Sequence, residues 1–218
     1  MPLSFLTSEL FFPPVSQAEP DGLLAVGGDL SPERILLAYR SGIFPWYEEE
    51  PILWWSPDPR FVLFPAELKI SKSMRPFLNR EKFRFSVDED FQQVMKNCQQ
   101  IPRLFQSGTW INKDMIQAYT SLHRMGYAHS AEAWQDGKLV GGLYGVKIGK
   151  VFFGESMFSH VSNASKFAFI KLVQLLAEKG VVLIDCQVYT EHLESLGARM
   201  ISREEFMEII SKAMQAEG

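Results

Sequence analysis

The stretch from residue 127 to residue 187 leaves little choice of architecture. "YAHSAEAW", "KLVGGLYGVKI" and "KVFFGESMFS" are three consecutive β-type runs, the first two joined by Asp136-Gly137, a dipeptide suited to a tight hairpin turn. A glycine-free apolar segment, "ASKFAFIKLVQLLAE", then predicts one long helix capped by Ser162 or Asn163, and "VVLIDCQVY" returns as a strand. A helix between two strands of one sheet carries the chain back across it, so the new strand runs parallel to an earlier one. Hairpins plus one such crossover give an α+β fold with a mixed sheet.

Around this unit the chain divides unevenly. Its 218 residues suit one large domain or a main domain with a small appendage. Residues 1–60 are rich in Pro, Gly and Trp, and contain one clear helix over about 33–41, with Ser31 as N-cap, Pro32 at the first helical position and Gly42 after the end. "GIFPWYEEEPILWWSPDPR" reads as an irregular, aromatic-lined segment, so residues 1–60 are expected to form a small N-terminal domain and 61–218 the larger one. In the latter, "RFVLF" and "KFRFSV" alternate as strands, while "DEDFQQVMKNC" and "NKDMIQAYTSLHRMG" read as helices.

The composition excludes several classes. A formal net charge of −4 argues against indiscriminate nucleic-acid binding, and two distant cysteines rule out a disulfide framework. The N-terminal segment lacks a basic secretory region, and no apolar run approaches the roughly 18 residues of a membrane span, so a cytoplasmic location is expected. The four histidines and two cysteines show no metal-ligand spacing, and neither a Walker loop nor a serine-nucleophile elbow is present. No cofactor is called for.

Four constellations remain. Glu155 interrupts the apolar run "VFFGESMFS" directly after Gly154, where a strand glycine often marks a bulge. Strict alternation places it on one face with Phe153 and Met157. Asp185 and Gln187 share a face of "LIDCQ", and a buried carboxylate needs a partner: an arginine, a helix end, or a ligand crevice beside the Glu155 strand. Trp46, Trp110 and Tyr119 are either core aromatics or platforms for a nucleobase. Finally, residues 69–84 hold six bases (Lys69, Lys72, Arg75, Arg80, Lys82, Arg84) against Glu81, a local charge of +5 that suits a phosphate backbone.

These residues sit in blocks that resemble a known family. "GLLAVGGDLSPERILLAYRSGIFPW", "PILWWSPDPR", "GTWI", "GYAHSAEAW", "LVGGLYGV", "FFGESMFS", "NASK" and "LIDCQ" are similar, in this order, to the leucyl/phenylalanyl-tRNA–protein transferases. The resemblance implies a main domain with the GCN5-related N-acetyltransferase fold. It also implies a reaction: moving Leu or Phe, less readily Met, from aminoacyl-tRNA to the α-amino group of proteins beginning with Lys or Arg, which marks them for N-degron proteolysis. Neither a membrane nor DNA would be a partner.

Carried over block by block, Asp185, Gln187 and Glu155 become the catalytic group, with Asp185 drawing a proton from the acceptor amine through Gln187. Leu143, Phe152, Gly154, Met157, Phe169 and Ile184 become the aminoacyl pocket. Trp46, Trp110 and Tyr119 hold the terminal adenosine, and the 69–84 stripe meets the acceptor stem. One strain is visible: ideal alternation points Phe152 and Ile184 away from the carboxylate face, which a bulge at Gly154 or a splaying of the two strands would relieve.

Two rival readings use the same residues. An acetyl-CoA-dependent N-acyltransferase needs a glycine-rich loop opening the long helix, and residues 158–179 contain no glycine. A non-catalytic module would use Glu155 and Asp185 only to hold a cationic protein N-terminus.

Overall fold

The computed structural model of the chain describes residues 3–79, 82–101 and 111–214. In chain order its elements are β1 (Ser4–Leu6), β2 (Leu23–Gly27), α1 (Pro32–Arg40), β3 (Phe44–Pro45), β4 (Leu53–Trp55), β5 (Arg60–Leu63), α2 (Arg75–Asn79), β6 (Arg84–Val87), α3 (Phe91–Gln100) and α4 (Lys113–Arg124). There follow β7 (Ala128–Gln135), β8 (Lys138–Ile148), β9 (Val151–Ser159), α5 (Ala164–Glu178), β10 (Leu183–Gln187), α6 (Glu191–Glu194), β11 (Arg199–Ile201) and α7 (Arg203–Met214).

The meander, crossover helix and return strand expected from the sequence are all present. A seven-stranded sheet has the order β11-β5-β10-β9-β8-β7-β6, in which β10 alone runs parallel to its neighbour β9. Helix α5 makes that crossover. It covers one face, where Phe167, Phe169 and Ile170 pack on Leu143, Phe152 and Ile184. The other face lies under α1, α3, α4 and α7, with Tyr144, Phe153 and Val62 turned toward Tyr39, Tyr119 and Phe206. Burying both faces explains why β8 and β9 contain so few polar residues.

The N-terminal region is more ordered than its sequence suggests. The segment read as irregular contributes β3 and β4 to a four-stranded sheet of order β1-β2-β4-β3. These strands span two to five residues, too short to display alternation, and their pairing is non-local. The helix capped by Ser31 forms as expected, with the Ser31 side chain accepting from the Arg34 amide. The long helix has Asn163, one of the two residues expected there, at its N-cap with φ +68° but without a side-chain cap, while the Ser165 amide donates to Ser159 Oγ at 3.3 Å.

Two bulges set the face of every residue near the site. Opposite β8, Tyr144 pairs with Ser156 and Gly145 with Gly154, so Glu155 is an extra residue. The alternation expected for residues 153, 155 and 157 therefore breaks: Phe153 stays under the helices of one face, while Met157 joins Leu143 on the α5 face. A bulge is tolerated here because Gly145 lacks a Cβ, which would meet the Phe153 carbonyl oxygen and lie 2.6 Å from the Phe152 ring. In β10 the pairing with β5 steps from Asp185 to Gln187, which makes Cys186 the extra residue and leaves Gln187 at φ +63°.

Candidate active site

Strands β9 and β10 pair from Leu183 with Val151 to Asp185 with Phe153, and no further. Beyond that point they separate, and a crevice opens at the carboxyl ends of the two parallel strands, the usual ligand position in such sheets. A hollow of about 450 Å³ occupies it, within the range of small-ligand sites. Leu143, Met157, Phe169 and Ile184 form its apolar wall, Phe44 and Trp46 its rim, and Glu155 and Gln187 its polar side.

The polar side is one connected network. Gln187 Nε2 donates to Glu155 Oε1 at 2.8 Å, and Tyr39 Oη donates to the same oxygen at 2.6 Å. Tyr119 Oη lies 3.0 Å from Glu155 Oε2 and touches Tyr39 Oη. Behind them, the Gln187 amide donates to Asp185 Oδ1 at 2.9 Å. Asp185 is gripped from the far side by Arg60, Nε to Oδ1 at 2.8 Å and Nη2 to Oδ2 at 2.7 Å. Arg60 itself lies between the rings of Phe44 and Phe206, its Cζ 4.7 and 4.6 Å from their centroids.

The two carboxyls consequently differ in character. Asp185 is fully buried, and both of its oxygens are occupied by Arg60, one of them also by the Gln187 amide. It borders the hollow with no exposed surface, and its Oδ1 holds the bulged backbone of Gln187. Glu155 is half-buried at the hollow's edge. Burial raises its pKa to about 7, with the Asp185 charge pushing the same way, against the donors Tyr39, Tyr119 and Gln187. Cys186 offers no thiolate nucleophile, since burial pushes its thiol up.

The other expected site residues fall into three groups. Leu143, Gly154, Met157, Phe169, Ile184 and Trp46 line the hollow, Trp46 being 36% exposed and tilted against Trp55. The strain foreseen for Ile184 is relieved by the splayed strands, while the bulge turns Met157 to the apolar wall. Phe152 and Tyr119 are buried next to the hollow rather than in its lining. Tyr119 is thereby corrected as an adenosine platform: it has no exposed ring face, and its hydroxyl meets Glu155. Trp110 lies outside the described residues.

In the basic stripe, Lys69, Lys72, Arg75 and Lys82 are exposed, and Arg80 lies outside the described residues. Arg84 is already engaged, donating to both oxygens of Glu89 at 2.6 and 2.7 Å above the Trp134 ring. Its charge is therefore answered locally.

Three residues went unseen in the sequence. Tyr39 reads as one more apolar helix position, and only the approach of α1 to β9 gives its hydroxyl a role. Arg60 reads as a domain boundary; an arginine heading the apolar run "RFVLF" is the signal for a buried acid partner. His192, on α6, lines the hollow with its Nε2 buried and without a hydrogen-bond partner among the described residues. Burial and the Lys166 charge lower its pKa to about 4, so the imidazole is neutral.

Sheet, split and network together define an α+β protein with a ligand crevice at its split strands. A family model described as Leucyl/phenylalanyl-tRNA protein transferase matches residues 62–211, and one described as the N-terminal domain of the same transferase matches residues 28–58. The chain belongs to the leucyl/phenylalanyl-tRNA–protein transferase family. It is 61% identical over 207 residues to the leucyl/phenylalanyl-tRNA–protein transferase of Flavobacterium johnsoniae, covering 94% of this chain and 98% of that protein. With the protein of that name from Syntrophobacter fumaroxidans it shares 58% identity over 213 residues, 97% of this chain and 91% of the other. Among solved structures, a GCN5-related N-acetyltransferase from Kribbella flavida matches at TM-score 0.42 and 11% identity, over 77% of this chain and 60% of that one, less than two thirds of its length.

Proposed function

We propose that the protein transfers Leu or Phe, and less readily Met, from aminoacyl-tRNA to the α-amino group of proteins that begin with Lys or Arg. The modified proteins would enter N-degron proteolysis in the cytoplasm, where charged tRNA is available. The observation that carries this reading is the apolar hollow of about 450 Å³ opening directly onto the Glu155–Gln187 pair. A Leu or Phe side chain fills such a wall, and its ester carbonyl then faces the polar side. The family membership and the names of the two relatives support the transfer of Leu or Phe from tRNA to protein.

In this reading the residues divide by task. Leu143, Met157, Phe169 and Ile184 hold the donor side chain, while Trp46 and Trp110 hold the terminal adenosine by stacking, worth about 1–3 kcal/mol per base. Lys69, Lys72, Arg75, Arg80 and Lys82 meet the acceptor-stem phosphates. Gln187 and Glu155 receive the acceptor amine, and Asp185 keeps Gln187 in place. Residues 1–60, the proposed small domain, deliver Tyr39, Phe44 and Trp46 to the site. The reaction is driven by the activated ester, so holding amine and carbonyl in line contributes a large share of the rate.

The test is a transfer assay with radiolabelled Phe-tRNA and an Arg-initiated peptide. Label is expected on the peptide. Label that stays on the tRNA, with the peptide merely bound, would sink the reading in favour of a binding module.

A further inference from the structure

Glu155 and two tyrosines form a closed ring of contacts that is one proton short. Tyr39 Oη lies 2.6 Å from Glu155 Oε1, Tyr119 Oη lies 3.0 Å from Oε2, and the two phenol oxygens are in hydrogen-bond contact with each other. Three oxygen–oxygen contacts need three protons, and two neutral phenols bring two. Both phenols stay protonated, because burial and the Glu155 charge push their pKa well above the ordinary value. With Glu155 ionised, one contact lacks its proton. With Glu155 protonated, all three are filled. The ring thus has room for one further proton, while each hydroxyl taken singly donates to the carboxylate and steadies its ionised form.

The other acid has no such vacancy. Both Asp185 oxygens accept from Arg60, and Oδ1 also accepts from the Gln187 amide. Gln187 Nε2 points its proton at Glu155 Oε1, so it steadies that carboxylate.

We propose that Glu155, closed into this ring with Tyr39 and Tyr119, is the base that takes the proton of the attacking amine and the acid that returns it to the ribose oxygen. The assignment rests on the aminoacyl-transfer reading and gives Glu155 the role that the resemblance gave to Asp185 and Gln187. The lone pair of the neutral amine forms the new C–N bond, and the carbonyl π pair moves onto oxygen. One N–H proton passes to Glu155. As the adduct collapses, the carbonyl re-forms and the carbon–ribose oxygen bond breaks. The ribose oxygen keeps that electron pair and takes the proton back from Glu155. Amine and ester become amide and alcohol, and Glu155 ends ionised, as it began.

The groups that face Glu155 are Tyr39 from α1, Tyr119 from α4, and Gln187 and Asp185 from β10, with Tyr144 of β8 behind Tyr119 and Arg60 of β5 behind Asp185. Their combined effect, dominated by burial, leaves the carboxyl at about 7. A group near the working pH serves best as both base and acid.

Infrared difference titration of the unaltered protein against Glu155→Gln tests the ring without any substrate. A carboxylic-acid C=O band absent from the variant is expected to vanish as pH rises through about 7. Tyr39→Phe and Tyr119→Phe should each move that midpoint upward, since both hydroxyls favour the ionised form. In single-turnover transfer from Phe-tRNA, the rising limb of the pH–rate profile should follow the same midpoint and move with it. Glu155→Gln should lose about 10²–10⁴-fold in rate while keeping aminoacyl-tRNA binding. A band that titrates in the ordinary carboxyl range, or a limb unmoved in both tyrosine variants, overturns the assignment. Absence of transfer by the unaltered protein overturns the aminoacyl-transfer reading and the assignment with it, and is told apart because the infrared midpoint is then still at about 7.

Discussion

Arg60 and Asp185 form a two-pronged ion pair in which neither side chain reaches water, the arginine being 1% and the aspartate 0% exposed. The pair spans the sheet from β5 to β10 and ties the start of the large sheet to the strand that carries Gln187. Buried pairs of this kind contribute little net stability against an apolar substitute, but removing one partner strands the other charge. Arg60→Met is therefore expected to lose about 3–5 kcal/mol in denaturant unfolding. Arg60→Met with Asp185→Leu should recover much of that stability and still lack transfer activity, because Gln187 has lost its anchor. Equal instability of the single and double variants would show that Arg60 acts through packing alone.

The Glu155 bulge depends on Gly145. A methyl group there would press on the Phe153 carbonyl oxygen and the Phe152 ring. Gly145→Ala is expected to destabilise the protein by about 1–3 kcal/mol, as overpacked sites do, and to displace Glu155. Thermal melts and transfer rates would check it; an unchanged rate would mean that the bulge does not aim the carboxylate.

Two titrations near the hollow pull stability in opposite directions. The folded carboxyl of Glu155 is raised from 4.5 to about 7, so between those values the folded state holds the extra proton and stability falls as pH rises. His192 is lowered from 6.5 to about 4, so in that window the unfolded state holds the extra proton and stability falls as pH drops. Glu155→Gln should therefore be more stable, relative to the unaltered protein, at pH 8 than at pH 5. Melting curves at the two pH values read this out, and a pH-independent difference would contradict the raised carboxyl.

The apolar wall sets which side chain is accepted. Met157→Phe fills the hollow from its β9 side, and is expected to lower kcat/KM for Phe-tRNA more than for Leu-tRNA, by about 10-fold or more. Competition between the two charged tRNAs measures the ratio directly. A ratio that does not change would remove Met157 from the donor pocket.

The basic stripe predicts a split among its own members. Lys72→Gln and Arg75→Gln should each weaken tRNA binding uniformly and flatten its salt dependence by about one unit of slope. Arg84→Gln should leave the slope nearly unchanged, because Glu89 already neutralises that guanidinium. Binding isotherms over a range of salt decide it, and a flattened slope for Arg84→Gln alone would reverse the assignment.

Much of this was legible without coordinates, because it depends on residues close together in the chain. The DG turn, the long uninterrupted helix and the order of strands fix the meander and its crossover, and a glutamate after a strand glycine announces a bulge. The short strands β1, β3 and β4 were not legible, since two- or three-residue segments carry no period.

The sequence by itself determined the mixed sheet and the presence of two acids and an amide that interior strands must accommodate. Only the tertiary structure decided which acid is held in an ion pair. Burial and the approach of Arg60 from β5 lock Asp185 into an ion pair, while α1 and α4 bring two phenols to Glu155 at the edge of the hollow. Such partners lie 36 to 125 residues apart. Neither periodicity nor spacing encodes those encounters; they exist because folding packs separate elements against one sheet and removes the water between them.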